Sequence, residues 1–230
     1  RREIYGENLN AAHRLEVTTL ASTVFLNTGS RLEPRELPAE AQFAPAFAVC
    51  VGEMDGDGNE DVFLSQNFFA TNLEMPRSDA GRGLWLRGDG RGNLTPVPGH
   101  ESGVKIYGEQ RGAALADYDH DGRTDLVVMQ NAGPTKLYRN QTATPGLRVT
   151  IQGPPGNPAA IGAALRLLTP AGPGPLRETQ SGSGYWSKNA ATQVLGAPPP
   201  GSKLWVRSPD GTVTTNKISG HGGEIVISIE

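Results

Sequence analysis

At 230 residues, 37% hydrophobic and 20% charged, the chain is long enough for one or two domains with real cores, and its composition excludes disorder throughout. Thirty Gly and 18 Pro against only 6% aromatic residues predict many chain reversals and few long helices, so the expected class is all-β. The net charge of -3, with no basic run and no stripe of interleaved basic and aromatic residues, argues against a nucleic-acid partner, and no apolar run is long enough to span a bilayer. The single cysteine, Cys50, rules out an internal disulfide and, within Phe47 to Val51, reads as a small core residue.

Residues 1–19 are expected to be a linker or the remnant of a preceding repeat, since the first 13 are polar and show no steady period. The start at Arg1 carries no signal peptide and suggests a processed or truncated chain. Strand patterns begin with Leu15 to Val17 and Thr23 to Asn27, the latter closing on the turn residues Thr28, Gly29 and Ser30, with another strand near Arg35 to Leu37. Ala46 to Val51 then leads into an acidic turn, Glu53 to Asp61, and Asp61 to Ser65 leads out of it. The series returns in Gly83 to Arg87 with its turn Gly88 to Gly92, in Arg111 to Leu115, and in a second acidic turn, Asp117 to Asp125, which runs into Leu126 to Met129. Each copy closes on Gln-Asn, and every position lies 64 residues from its counterpart: Glu53 and Asp117, Asp57 and Asp121, Asp61 and Asp125, Asn67 and Asn131. A further partial copy starts at Thr135 to Asn140. A repeat of this length, with about four strands in each unit, predicts blades of a β-propeller.

The alternating acids of both turns, followed by Gly58 and Gly122, have the pattern of a loop folded round a hard cation, because Gly lets the backbone reverse while alternate side chains aim oxygens at one centre. An EF-hand is excluded: its twelfth position needs a bidentate Glu on a helix, and here Leu64 and Val128 stand there inside apolar strands. The expected ligands are the side chains of Glu53, Asp55, Asp57 and Asp61 with the carbonyl of Asn59, and the side chains of Asp117, Asp119, Asp121 and Asp125 with the carbonyl of Arg123. The two turns carry -5 and -3, so the rest of the chain is +5. Such concentration is costly without a cation. About two calcium ions are expected, in a structural role; magnesium suits a flexible, carboxylate-rich loop less well.

After Asn140 the chain is broken by Pro- and Gly-rich turns at 153–158, 170–175 and 196–201. Between them lie the strand patterns Gly146 to Ile151, Ala163 to Leu168, Gln193 to Leu195, Lys203 to Arg207 and Glu224 to Ile229. This predicts a smaller, sandwich-like β module with its boundary near 141–145. The remaining candidates are weak. His13, His100, His120 and His221 lack zinc-ligand spacing, and His120 should point outward. The run Ser181 to Trp186 contains no nucleophile elbow, so Tyr185 and Trp186 are expected in the core. Gly88 to Gly92 lacks the spacing of a dinucleotide loop and serves as a hairpin turn. Asn93 and Asn140 head glycosylation-type triplets.

The two loops with their flanking strands resemble the FG-GAP/VCBS repeat family, whose blades carry a calcium loop of the form D-x-D-x-D-G-x-x-D. The tail is similar to an ASPIC/UnbV domain through Gly146-Leu-Arg-Val149, Ile161-Gly-Ala163, Arg177-Glu178, Ser183-Gly-Tyr-Trp-Ser187 and Leu204-Trp-Val-Arg207. That order of modules is similar to the cartilage acidic protein family and its bacterial relatives. The resemblance implies an all-β chain with a partial β-propeller, two blades plus a fragment, at residues 20–142, and an ASPIC/UnbV-like domain at 143–230. Where the family usually has Asp, the first loop has Glu53, so this longer side chain must fold back or the site binds more weakly. Two blades cannot close a ring of 4 to 8, so the remaining blades are expected from a longer chain or another subunit. The function implied is a secreted, periplasmic or cell-surface scaffold that is calcium-stabilised, non-catalytic, and recognises a protein or glycan. The alternative is an envelope or periplasmic enzyme whose site lies on the complete propeller or in a domain outside this chain. No catalytic and no organic-cofactor residues are expected.

Overall fold

The computed structural model describes residues 2–13, 15–218 and 223–230, and forms two compact units, Arg1–Leu37 and Pro38–Glu230. In the first, helical turns over Arg2–Tyr5 and Gly6–Ala11 precede a hairpin of β1 (Thr23–Asn27) and β2 (Leu32–Glu36). The turn is closed by the Thr28 N–H donating to the Arg31 carbonyl at 3.0 Å. The strand expected at Leu15 to Val17 does not form. Leu15 and Val17 are exposed and pair with no strand, so their alternation has no sheet face to bury.

In the second unit, β3 (Ala46–Gly52), β4 (Asp61–Gln66), β5 (Leu84–Gly88) and β6 (Leu94–Val97) form one antiparallel sheet in that order. A second antiparallel sheet follows from β7 (Glu109–Ala116), β8 (Asp125–Asn131) and β9 (Gly133–Tyr138). The 64-residue repeat is carried down to register. Gly52 faces Asp61 and Val49 faces Leu64, as Ala116 faces Asp125 and Ala113 faces Val128. Both pairings slip at the same place, between Ala46 and Val49 and between Gln110 and Ala113. Alternation explains the packing: β3 turns Ala48 and Cys50 inward and leaves Val49 and Val51 outward. The inward residues join Phe63, Ile106, Ala113, Leu115, Leu126 and Val128 in one apolar core between the two sheets. Cys50 is fully buried there, and burial pushes its thiol pKa up to about 12. Gly52 packs closely here: a Cβ would lie 2.7 Å from Leu115 Cδ1, so that methyl would have to move. The segment from Thr135, read as the opening of another copy, is instead the third strand of the second sheet, because β9 pairs with β8.

The C-terminal region contains β10 (Leu147–Gln152), β11 (Ala164–Thr169), β12 (Gly172–Pro173), β13 (Arg177–Glu178), β14 (Gln193–Leu195), β15 (Lys203–Arg207), β16 (Val213–Lys217) and β17 (Gly223–Ser228). Strand β10 lies between β14, antiparallel, and β17, parallel. Strand β11 pairs with β12, β13 and β15, and β15 with β16. Leu147, Val149 and Ile151 from one sheet meet Leu165, Leu167, Leu204 and Val206 from the other in a second apolar core. The fold is all-β, as expected, and none of its sheets closes into a barrel.

Candidate metal centre

Each acidic loop joins an inner strand to its neighbour, β3 to β4 and β7 to β8, so strand pairing clamps both ends of the loop. Inside it, side-chain oxygens hold the backbone. In the second loop Asp117 accepts the N–H groups of Asp121 and Gly122, both at 3.0 Å. In the first, Glu53 takes the same role by folding back: its two oxygens accept from Gly56 at 2.7 Å and Gly58 at 2.5 Å. Gly58 and Gly122 have φ of 91° and 80°, the left-handed turn that the pattern of acids followed by glycine demands.

The last carboxylate of each loop is an anchor. Asp61, fully buried, accepts from the N–H of Met54 at 3.1 Å and of Gly88 at 2.9 Å. Asp125 does the same with Tyr118 at 3.1 Å and Asn140 at 2.7 Å. The chain thereby ties the third strand of each sheet to the loop. The residue before Gly88 and the residue before Asn140 are arginines that meet the third loop position: Arg87 pairs with Asp55 at 2.6 Å, and Arg139 pairs with Asp119.

Glu53, Asp55 and Asp61 can each bring one oxygen within 4.8 Å of the others, and so can Asp117, Asp119 and Asp125. Two oxygens bound to one calcium ion at about 2.3–2.6 Å lie at most about 5 Å apart, so both groups fit that ion. Asp57 and Asp121 stand outside these groups. Asp57 accepts from the Asn59 N–H at 2.7 Å, and Asp121 pairs with Arg123 at 2.9 Å and Arg139 at 3.2 Å.

The electrostatics of the two loops differ. Burial raises the Glu53 pKa to about 7, with neighbouring Asp57 and Asp61 adding to the rise against the pull of two backbone N–H groups. Burial likewise raises Asp61 to about 6 and, more modestly, Asp125. Desolvation also acts on Asp121, yet the bonds from Arg123 and the nearby guanidinium charges win, and its pKa is lowered. Glu53, Asp61 and Asp125 make no ion pair among the described residues, so these are the carboxylates that a cation would relieve.

Sequence reasoning missed the basic partners. Arg148 on β10 pairs with Asp117 at 2.7 Å in a nearly dry setting, and Arg177 pairs with Glu60 at 2.6 Å. Asn140 donates to the Met54 carbonyl at 2.7 Å and the Thr124 carbonyl at 3.1 Å, linking the loops. The recurring pairs Arg87-Gly88 and Arg139-Asn140, each just past an apolar strand, were the available signal. Among the other expectations, His120 is exposed as anticipated, His13 is exposed, and His100 lies 3.7 Å from Glu101. His221 lies outside the described residues. Tyr185 and Trp186 are not in a core: they are 37% and 87% exposed, because their tight turn bridges Gly184 to Ser187 and turns both rings outward.

Residues 54–128 match the FG-GAP-like repeat family. The match begins inside the first loop and ends on β8, so it takes in both loops. The matched stretch covers one full period of the repeat found in the sequence and in strand register. No curated protein matches the chain.

Proposed function

We propose that this chain is a calcium-stabilised, non-catalytic binding scaffold, working outside the cytoplasm or on a cell surface, in which FG-GAP-like blades and an ASPIC/UnbV-like module at 143–230 together present a surface to a protein or glycan. The observation that carries the reading is the pair of carboxylate groups, Glu53, Asp55, Asp61 and Asp117, Asp119, Asp125, at equivalent positions of two FG-GAP-like loops. Bound calcium supplies fixed positive charge at these points. The chain supplies strand ends and backbone N–H groups that hold the carboxylates in place. Among the described residues no helix is long and apolar enough to cross a membrane. The sheet β7–β9 has three strands where β3–β6 has four, which goes with further blades coming from a longer chain or another subunit.

A cation that binds only the folded state stabilises it by about 2.7 kcal/mol at a hundredfold excess over its dissociation constant. Thermal melts in 2 mM calcium and in EGTA test the reading. The midpoint should rise in calcium, and Asp61→Asn with Asp125→Asn should abolish the rise. A midpoint indifferent to both treatments would overturn it.

A further inference from the structure

A cleft of about 370 Å³ lies where the blades meet the C-terminal region. Part of its wall is apolar, with Val49, Val51 and Leu115 from the inner strands and Leu176 and Val194 from the C-terminal region. Part is polar, with Glu60, Thr179, Gln180, Asn189 and Gln193. Two of these residues carry polar atoms with no hydrogen-bond partner among the described residues. They are Glu60 Oε2, whose sister oxygen holds Arg177, and Thr179 Oγ1, on a residue only 4% exposed. An orphaned buried polar atom costs about 1–3 kcal/mol, so this side of the cleft is more polar than the protein's own hydrogen bonds satisfy.

The segment that supplies Gln180, Ser183 and Asn189 to this cleft also carries the Tyr185 and Trp186 turn. It is docked on β7, where Asn189 Oδ1 accepts the Leu115 N–H at 2.9 Å and the Ala190 N–H donates to the Leu115 carbonyl at 2.9 Å. Trp186 has φ of 49°, a conformation a bulky residue rarely holds, and its ring is left 87% exposed. It stacks on Tyr185 with centroids 5.7 Å apart and planes 7° apart. Tyr185 in turn sits edge-on to Phe47, over which the Arg111 guanidinium lies at 3.9 Å. The exposed ring is thus backed from below by Tyr185, Phe47 and Arg111.

We propose that the cleft and this platform bind a glycan, the cleft taking a neutral sugar residue and Trp186 stacking on the next. This deepens the scaffold reading above and rests on it. The chemistry selects the class. A further cation is disfavoured, because Glu53 and Asp117 already belong to the two loop groups and Glu60 is held by Arg177. An anion meets Glu53, Glu60, Asp117 and Glu178 against Arg177 alone in the lining. A fatty chain would strand the polar wall. A pyranose has hydroxyls for the carboxylate, hydroxyl and amide groups and a C–H face for the apolar wall and the indole.

The test uses the whole chain in 2 mM calcium. The methyl glycosides of glucose, galactose, mannose and N-acetylglucosamine and their β-linked trimers are titrated by calorimetry and by indole fluorescence. At least one series should bind, its trimer more tightly than its monomer. Trp186→Ala and Gln180→Ala should each weaken the trimer about tenfold or more without lowering the melting temperature, since both side chains are exposed. No binding to any glycoside, or binding that both variants leave intact, overturns the proposal. A chain that melts higher in calcium yet binds no sugar overturns the glycan site alone; sugar binding with melts indifferent to calcium overturns the calcium reading alone.

Discussion

The two acidic loops share a register, a bulge and an anchoring aspartate, yet they solve the problem of crowded negative charge differently. The second loop is neutralised from within the protein: Arg148 reaches Asp117, Arg139 reaches Asp119 and Asp121, and Arg123 reaches Asp121. The first has Arg87 on Asp55 and Arg177 on Glu60 and otherwise relies on backbone N–H groups, so Glu53 and Asp61 stay buried without a countercharge. Closely similar loops can therefore be stabilised mainly by arginines in one copy and left with two buried, unpaired carboxylates in the other. The first loop is expected to contribute more of any response to calcium.

The largest effect should come from removing the second loop's internal neutralisation. Arg148 and Asp117 have side chains only 9% and 1% exposed, and breaking a buried pair by removing one partner costs about 3–5 kcal/mol. Arg148→Met in EGTA should lose stability of that order by urea denaturation, because Asp117 is then buried and uncompensated. In calcium the loss should shrink, as the cation takes over the missing charge. An equal loss in both conditions would break the proposed difference between the loops.

Much of this was legible in the sequence. The 64-residue spacing of Glu53 and Asp117, or Asp61 and Asp125, already placed both loops at strand junctions, because apolar alternation stops and starts around them. The all-β class followed from glycine, proline and the scarcity of helical period. Arg148 was not legible as a neutralising partner, since it lies 31 residues beyond Asp117 and meets it only through the packing of β10. The outward turn of Trp186 was hidden for another reason. An aromatic pair between glycine and serine reads as core, and only the left-handed backbone at Trp186 turns it to the surface. Nor could pattern alone join β9 to the second sheet: its resemblance to the strand at Gly83 to Arg87 is real, but hydrogen bonding assigns each to the sheet before it.

The next contrast is in pH. In EGTA, native Glu53 keeps its proton up to about pH 7 and Asp61 up to about pH 6, whereas the unfolded chain has released both above their ordinary values of 4.5 and 3.8. Between those limits the native state binds more protons, so stability must fall as pH rises through about 4 to 7, and level off above. Melts of the calcium-free chain at pH 5.5, 6.5 and 7.5 should show the midpoint dropping stepwise. Saturating calcium should flatten or reverse the trend, because protons then compete with the bound ion. A calcium-free midpoint that climbs with pH would mean that Glu53 and Asp61 are not the strained groups.

The smallest contrast separates geometry from charge. Gly56 and His120 occupy the same place in the two loops, 64 residues apart, and both are left-handed, with φ of 87° and 65°. At Gly56 a Cβ would lie 2.7 Å from the backbone N and O of Thr144, so Gly56→Ala meets both a steric clash and an unfavourable φ, and should cost about 2 kcal/mol or more. His120 has only the backbone strain to bear, in exposed surroundings. His120→Gly relieves about 1 kcal/mol of it and gives part back by loosening the unfolded chain, so the net gain should be a few tenths to about 0.5 kcal/mol. Paired denaturation curves in calcium read both numbers. If His120→Gly were instead as damaging as Gly56→Ala, the imidazole would be making a contact that its exposure denies, and the second loop would depend on its tip as well as on its arginines.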